Sequence, residues 1–272
     1  MTQSITKLEA TAKKIRRSLI KLFYQAQSGH PGSSFSIIDV LVALYFGNIL
    51  KHNPKNPHWS NRDYFLLSNG HAVPGFYSTL AHAGYIPLSQ LKDLRQIGSN
   101  LHGHPKRGTF PGVEISSGSL GQGLSIGVGI AMGLKMRKKP NKVIVMTSDG
   151  EQQEGSTWEA IMYAPKHQLN NLITIVDKNG NQINDSTANI IPTMDTLTDK
   201  YQAFGWQTAE INGHDFNQIL KAFTKAFKSK GPFAIIANTV TGKGISFMEG
   251  DYHWHHGHVT DELYQQALKD LK

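Results

Sequence analysis

The sequence predicts an α/β fold, a doubly wound and mostly parallel sheet with helices on both faces, and three observations carry the prediction. Two short apolar runs, Val143-Ile144-Val145-Met146 and Leu172-Ile173-Thr174-Ile175-Val176, stop at Ser148-Asp149-Gly150 and at Asp177-Lys178-Asn179-Gly180. Such runs read as buried strands closed by polar punctuation. Between them, residues 154–164 open with an acidic first turn and then repeat apolar residues at intervals of three and four, the pattern of a crossover helix between parallel strands. Further strand-like runs at 64–67, 207–211 and 233–237 alternate with helical stretches, as in doubly wound folds.

Taken in order, Ile5, Leu8, Ala12, Ile15, Leu19, Leu22 and Phe23 fall at helical spacing with Lys and Arg between them, so residues 5–27 form an amphipathic helix. Gly29-His30-Pro31-Gly32 breaks it, and residues 36–50 begin another helix with Asp39 in its first turn. After the 64–67 strand, Gly118-Ser119-Leu120-Gly121-Gln122-Gly123 leads into a helix whose Gly123, Gly127 and Ala131 stand four apart, a face suited to close packing. Glycines ahead of a helix also bare backbone N–H and C=O groups to a ligand. The strand at 143–146, the helix at 154–164 and the strand at 172–176 make a βαβ unit. A strand at 207–211, a helix at 215–230 and a strand at 233–237 follow. There is no repeat, low-complexity tract or linker, and 272 residues of 39% apolar composition can bury one large core, so residues 1–272 are expected to form one domain.

Composition narrows the function. The absence of cysteine excludes disulfides, thiolate metal sites and thiol nucleophiles, and fits the cytoplasm. No apolar run reaches the eighteen or so residues of a membrane span, and the first residues lack the apolar core of a signal peptide. The net charge of +8 raises nucleic-acid binding, but the basic groups at 13–17 and 135–139 fit solvated helix faces, and the rest are dispersed. No nucleic acid is expected as a partner. A basic balance also steers phosphorylated sugars and diphosphates towards the protein.

Parallel strands bring their carboxyl ends to one sheet edge, where ligands of open α/β sheets bind, so Asp149 and Asn179 should share a crevice. A carboxylate and an amide oxygen, completed by a backbone carbonyl, water and phosphate oxygens, suit Mg²⁺. Gly150 lets the backbone approach a diphosphate.

These residues resemble the thiamine-diphosphate signature of the transketolase family, an acidic strand end followed about thirty residues later by an Asn. The resemblance runs in order through Ser28-Gly29-His30-Pro31-Gly32, Ser68-Asn69-Gly70-His71, Gly103-His104-Pro105, Gly118 to Gly123, Glu151-Gln152-Gln153-Glu154-Gly155, Thr241-Gly242-Lys243-Gly244 and Trp254-His255-His256-Gly257, nearly the whole chain. It implies thiamine diphosphate as cofactor with Mg²⁺, or another divalent cation such as Ca²⁺ or Mn²⁺, held by Asp149, Asn179 and the carbonyl of Asn181. Gly118, Ser119 and Leu120 would contact the aminopyrimidine. His71 would contact the cofactor phosphates and the substrate, with Gly150, Glu151, Lys243 and His255 completing the cofactor set. His30 would bind the sugar and shuttle protons, and His104 would hold the donor's terminal hydroxyl, a use suited to imidazole near neutral pH. In the family one His accompanies the late Trp and Gly. An ungapped count from Thr241 selects His255 and adjacency to Gly257 selects His256, so both stand as candidates. A metal-chelating His tract is the rival reading of 252–258. Glu154 would reach across a dimer interface, or serve only as an acid favourable to a helix N-terminus. Two departures stand out: Ser148 replaces the first Gly of the usual Gly-Asp-Gly, and Thr241 stands where some members carry Lys.

The resemblance implies transfer of a two-carbon ketol unit from a ketose, phosphorylated or not, to an aldose through an adduct of thiamine diphosphate. Because no pyrimidine-domain motif is present, the expected partner is a separate C-terminal pyrimidine-domain subunit supplying the cofactor-activating Glu, in an α₂β₂ heterotetramer. Rival readings are the α-type subunit of a 2-oxoacid dehydrogenase or deoxyxylulose-phosphate synthase, which share the Asp149 and Asn179 anchor but not the histidine set, and a non-catalytic cofactor-binding module.

Overall fold

A five-stranded parallel sheet organises residues 4–272, the residues this computed structural model describes. Strands β1 (Tyr64–Leu67), β2 (Val143–Ser148), β3 (Leu172–Lys178), β4 (Gln207–Asn212) and β5 (Phe233–Asn238) stand in the order β1-β2-β3-β5-β4. Each neighbouring pair is parallel. The helices are α1 (Ile5–Ala26), α2 (Pro31–Ser36), α3 (Ile38–Phe46), α4 (Val73–His82), α5 (Gln122–Met136), α6 (Gly155–Lys166), α7 (Thr187–Ile190), α8 (Leu197–Ala203), α9 (Phe216–Lys228) and α10 (Asp261–Asp270).

Both faces of the sheet are covered, as the unbroken apolar runs require. Ile144 and Met146 of β2 and Ile173 and Ile175 of β3 enter one apolar cluster with α1, α3, α4 and α9. Their neighbours Val143, Val145, Leu172 and Val176 point the other way, into a cluster with α5, α6 and α8. The predicted doubly wound sheet is therefore what forms. The small-residue face of α5 lies against it: a methyl on Gly127 would sit 2.4 Å from Val145 Cγ2, and one on Gly123 would sit 2.2 Å from Ser68 Oγ.

Several local expectations shift. Helix does not wait for residue 36 but starts at Pro31, whose missing N–H and fixed φ suit a first helical position, and Ile37 separates α2 from α3. Strands β2 and β3 continue through Ser148 and Lys178 because Ser148 pairs in register with Asp177, and Lys178 with Asn238. Ser148 adopts no positive φ, so the loss of the family's Gly leaves the strand end regular. Glu154 precedes α6 as its N-cap residue without a capping side-chain bond.

The basic group at 13–17 is not wholly solvated. Arg16 is buried and forks onto Asp39, with Nη1 to Oδ1 at 2.8 Å and Nη2 to Oδ2 at 2.7 Å. Asp39 also accepts from His214 Nδ1 at 2.7 Å. The other ring nitrogen, Nε2, accepts from Val240 N–H at 2.9 Å, and Arg16 Nε donates to the Lys243 carbonyl at 3.0 Å. Burial pushes the Asp39 carboxyl up, but the Arg16 charge and the His214 and Arg16 hydrogen bonds outweigh it and hold the carboxyl at about 2. This buried group fixes, from behind, the loop that leaves β5. No helix among the described residues is long and apolar enough to cross a membrane.

Candidate active site

The carboxyl edge of the sheet opens into a cleft. It is lined by Asp149 and Gly150 from the end of β2, by Asn179, Asn181 and Gln182 from the end of β3, and by Thr241 from the loop after β5. His71, Leu120, Ser33 and His255 line it as well. The βαβ unit thus brings together Asp149 and Asn179, as their strand-end positions predict.

Asp149 is 1% exposed. Its Oδ1 accepts from Gly150 N–H at 2.8 Å, and its Oδ2 accepts from Gly180 N–H at 2.9 Å and from the Thr187 hydroxyl at 3.0 Å. Burial raises its pKa to about 6 against the opposing pull of those donors. Asn179 donates Nδ2–H to Asp177 Oδ2 at 2.9 Å and accepts from Asn181 N–H at 3.0 Å. Asn181 donates Nδ2–H to the Thr241 hydroxyl at 3.0 Å and to the Gly250 carbonyl at 3.1 Å. The loops after β3 and β5 are therefore stitched together over the cleft.

Asp177, which in the sequence reads only as punctuation after a strand, is fully buried. It accepts from Ser36 Oγ at 2.8 Å, from Asn179 and from the Thr239 hydroxyl. Burial lifts it to about 7, with the three donors pulling it down and the charge of Asp149 pushing it further up. Its place at the end of an apolar run is visible in the sequence; its partners Ser36 and Thr239, distant along the chain, are not.

A cluster of imidazoles meets the cleft. From His30, ring centroids lie at 5.3 Å to His71, 6.1 Å to His104, 5.4 Å to His255 and 5.0 Å to His256. His71 and His255 are 5.2 Å apart. Burial first, then the charges of His71, His255, His256 and Arg95, lower His30 to about 2. Burial and the neighbouring His255 and His104 lower His71 to about 3. His104 and His255 are lowered as well, again by burial first. These four rings are therefore neutral near pH 7, each with one nitrogen to donate and one to accept. Both His255 and His256 reach His30, but His255 lines the cleft and His256 is exposed.

The remaining candidates are placed less directly. Gly118 packs on His104, Leu120 lines the cleft, and Ser119 is exposed beside it. Glu151 is fully buried beneath the glycine loop, where Oε1 accepts from Gly121 N–H at 2.8 Å and from the Ser68 hydroxyl. Burial raises it to about 7. Glu154 is exposed, with its Cβ and Cγ against Gly121. Lys243 turns its ammonium to Glu249 at 3.1 Å, and Thr241 is what its loop gives to the cleft. Ser33 and Gln182 line the cleft without having stood out in the sequence, because single polar residues in loops carry no periodic signal, and Thr241, marked there only as a departure from Lys, lines it too.

Several buried polar atoms around the cleft have no protein partner: Ser33 Oγ, Gln182 Nε2, His30 Nδ1 and both side-chain atoms of Asn69. Such atoms are costly to leave unpaired, and their gathering here fits a polar ligand. Among the described residues no group of three or more His, Cys, Asp or Glu is arranged to hold a metal. A cation in the cleft would rest on one carboxylate, an amide oxygen and backbone, with ligand oxygens completing the set.

Residues 8–270 match the family described as transketolase, thiamine diphosphate binding domain. The chain is 40% identical over 265 residues to one of the subunits of the apulose-4-phosphate transketolase of Phocaeicola vulgatus, covering 97% of this chain and 93% of that one. It is 38% identical over 273 residues to a 6-deoxy-6-sulfo-D-fructose transketolase subunit of Clostridium, covering 100% and 98%. The crystal structure of transketolase from Campylobacter jejuni superposes with a TM-score of 0.93 at 36% identity. The match covers 99% of this chain and 43% of that one, so the chain spans less than half of that protein.

Proposed function

Since this chain belongs to the transketolase family, as a thiamine diphosphate binding domain, we propose that it is the N-terminal subunit of a two-chain transketolase. It transfers a two-carbon ketol unit from a ketose to an aldose. Residues 1–272 act as one diphosphate-binding domain, and a separate pyrimidine-domain subunit completes the site in an α₂β₂ assembly. The relatives support that division: the chain covers at least 93% of two subunits of transketolases and 43% of a one-chain transketolase. The subunit is read as cytoplasmic, with sugars or sugar phosphates as substrates.

The observation that carries the reading is the meeting of the Asp149 and Asn179 cleft with the neutral imidazole cluster around His30. Bound in the cleft, thiamine diphosphate supplies a nucleophilic carbon and an electron sink for breaking a ketose carbon–carbon bond. Asp149, the Asn179 side-chain oxygen and the Asn181 carbonyl would hold Mg²⁺ or a similar cation against the diphosphate, a donor set of hard oxygens. Gly150 lines the cleft with no side chain to bar the diphosphate, and Ser33 Oγ and Gln182 Nε2 offer unused hydrogen-bonding capacity to the ligand. Glu151 acts from below, holding Gly121 and hence the loop that carries Leu120.

The histidines do the proton work. A neutral ring accepts a proton from a substrate hydroxyl at one nitrogen and gives one to a carbonyl oxygen from the other, so His30, with its unpartnered Nδ1, relays between the sugar's hydroxyl and carbonyl oxygens. His71 and His255 orient the carbonyl over the cleft, and His104 with His256 grips hydroxyls at its exposed mouth. Donor screening of the two-chain assembly tests the reading. Turnover of ketoses with loss of activity on His30→Ala supports it, whereas turnover of 2-oxoacids alone would assign the chain to another thiamine-diphosphate chemistry.

A further inference from the structure

Arg95 lies outside every motif described so far, and its geometry is unusual in three independent ways. Its backbone adopts φ 60°, a left-handed conformation that non-glycine residues seldom take, fixed by its N–H donating to the Leu101 carbonyl at 2.8 Å. Its guanidinium lies flat on Gly103: a methyl there would stand 2.7 Å from Nε and 2.8 Å from both Cζ and Nη2. Its Nη1 donates to Ser28 Oγ at 3.1 Å. Among the described residues no carboxylate pairs with it.

We propose that Arg95 is the positioning residue of the histidine cluster. The plane of its guanidinium clamps the segment carrying Gly103 and His104 to the segment carrying Ser28 and His30. Those segments are far apart in sequence, and no hydrogen bond among the described residues joins the His104 ring to His30, whose centroid is 6.1 Å away. Arg95 spans the gap, and a strained backbone held in place by a specific hydrogen bond is the kind of local cost found where a side chain must be aimed. The glycine at 103 follows from the same arrangement, since any larger residue occupies the guanidinium's place. The cation also faces both rings. The charged and titratable groups facing His30 are His71, His104, His255, His256 and Arg95, and those facing His104 are His30, His71 and Arg95. Holding the two imidazoles together and unprotonated is one task, served by one side chain.

The inference rests on the ketol-transfer reading for its kinetic arm and is independent of it for its spectroscopic arm. In the two-chain assembly, Arg95→Gln and Gly103→Ala are each expected to lower kcat/KM for the ketose about tenfold, mainly through KM, while thiamine diphosphate affinity stays within about twofold. Arg95→Lys keeps the charge but loses the planar fork, and is expected to fall near the Gln variant in KM while keeping the wild-type acid limb of the pH profile. Unchanged kcat/KM, or an equal loss of cofactor affinity, overturns the proposal. In this chain alone, NMR titration of the histidine rings is expected to show His104 protonating at higher pH in Arg95→Gln than in the wild type. An unmoved His104 overturns the proposal, whether or not the wild-type assembly transfers ketol units. Absence of transfer by the wild type counts against the functional reading instead.

Discussion

His30 and His71 face one another with ring centroids 5.3 Å apart, and both are held neutral, by burial first and by neighbouring imidazoles second. Their folded-state pKa values, about 2 and about 3, lie below the ordinary value of 6.5. The stability they contribute is therefore complete above about pH 6.5 and is lost as pH falls towards those values. Each group adds at most about 1.4 kcal/mol per pH unit to the slope. Melting temperatures of this chain should drop between pH 7 and pH 5, and His71→Asn should flatten that drop. An identical slope in the variant would contradict the assignment.

The hydrogen bond from Asn179 to Asp177 makes a separate claim. Asp177 fixes the orientation of an amide whose oxygen also accepts from Asn181 N–H and whose residue lines the cleft. Asp177→Ala should weaken Mg²⁺-dependent binding of thiamine diphosphate by about 10- to 100-fold, as loss of groups that orient metal ligands does, and Asp149→Asn should weaken it further. Quenching of the intrinsic tryptophan fluorescence reads both. Wild-type affinity in Asp149→Asn would remove that residue from the cation site.

Behind the site, Arg16, Asp39 and His214 form a buried network whose charges compensate one another. Asp39→Ala should destabilise the chain by about 3–5 kcal/mol, because it strands a buried guanidinium. The carboxyl is held at about 2, below its ordinary 3.8, so the difference between wild type and variant should persist down to about pH 4 and shrink only as pH falls from there towards 2. Denaturant titrations at about pH 7, 4 and 2.5 measure it, and a loss under about 1 kcal/mol at neutral pH would show the pair to be dispensable.

Close packing of α5 on the sheet gives a steric prediction. In Gly127→Ala the new methyl falls 2.4 Å from Val145 Cγ2, so β2 or α5 must shift. Overpacking of this kind costs about 1–3 kcal/mol. By contrast, Gly129→Ala meets nothing within 4 Å and should stabilise by about 0.5–1 kcal/mol, since alanine suits a helix interior better than glycine. Thermal melts of the two variants should move in opposite directions.

The parts of this structure that are legible in the sequence are those governed by local periodicity. Strands β2 and β3 show because both faces are buried, leaving unbroken apolar runs, and the crossover between them fixes which edge Asp149 and Asn179 share. Beyond that, the histidines stand out through motif resemblance rather than periodicity. What stays hidden are partners distant in the chain. Arg16 reads as one more surface cation until Asp39 is seen 23 positions later, and Asp177 reads as a strand end until Ser36, Asn179 and Thr239 close around it. Helix α2 is hidden because Pro31 and its glycine neighbours look like a break, although proline is favoured at a first helical position. Lys243 is marked by its motif alone, and only the fold shows its side chain turned to Glu249.

The central claim is that this chain supplies the cofactor-diphosphate and histidine half of a transketolase site. Its most direct test is ketol transfer from a phosphorylated ketose to an aldose, with thiamine diphosphate and Mg²⁺, by this chain alone and then mixed with a pyrimidine-domain subunit. Transfer in the mixture and none by the lone chain is the predicted result; full-rate transfer by the lone chain would contradict it.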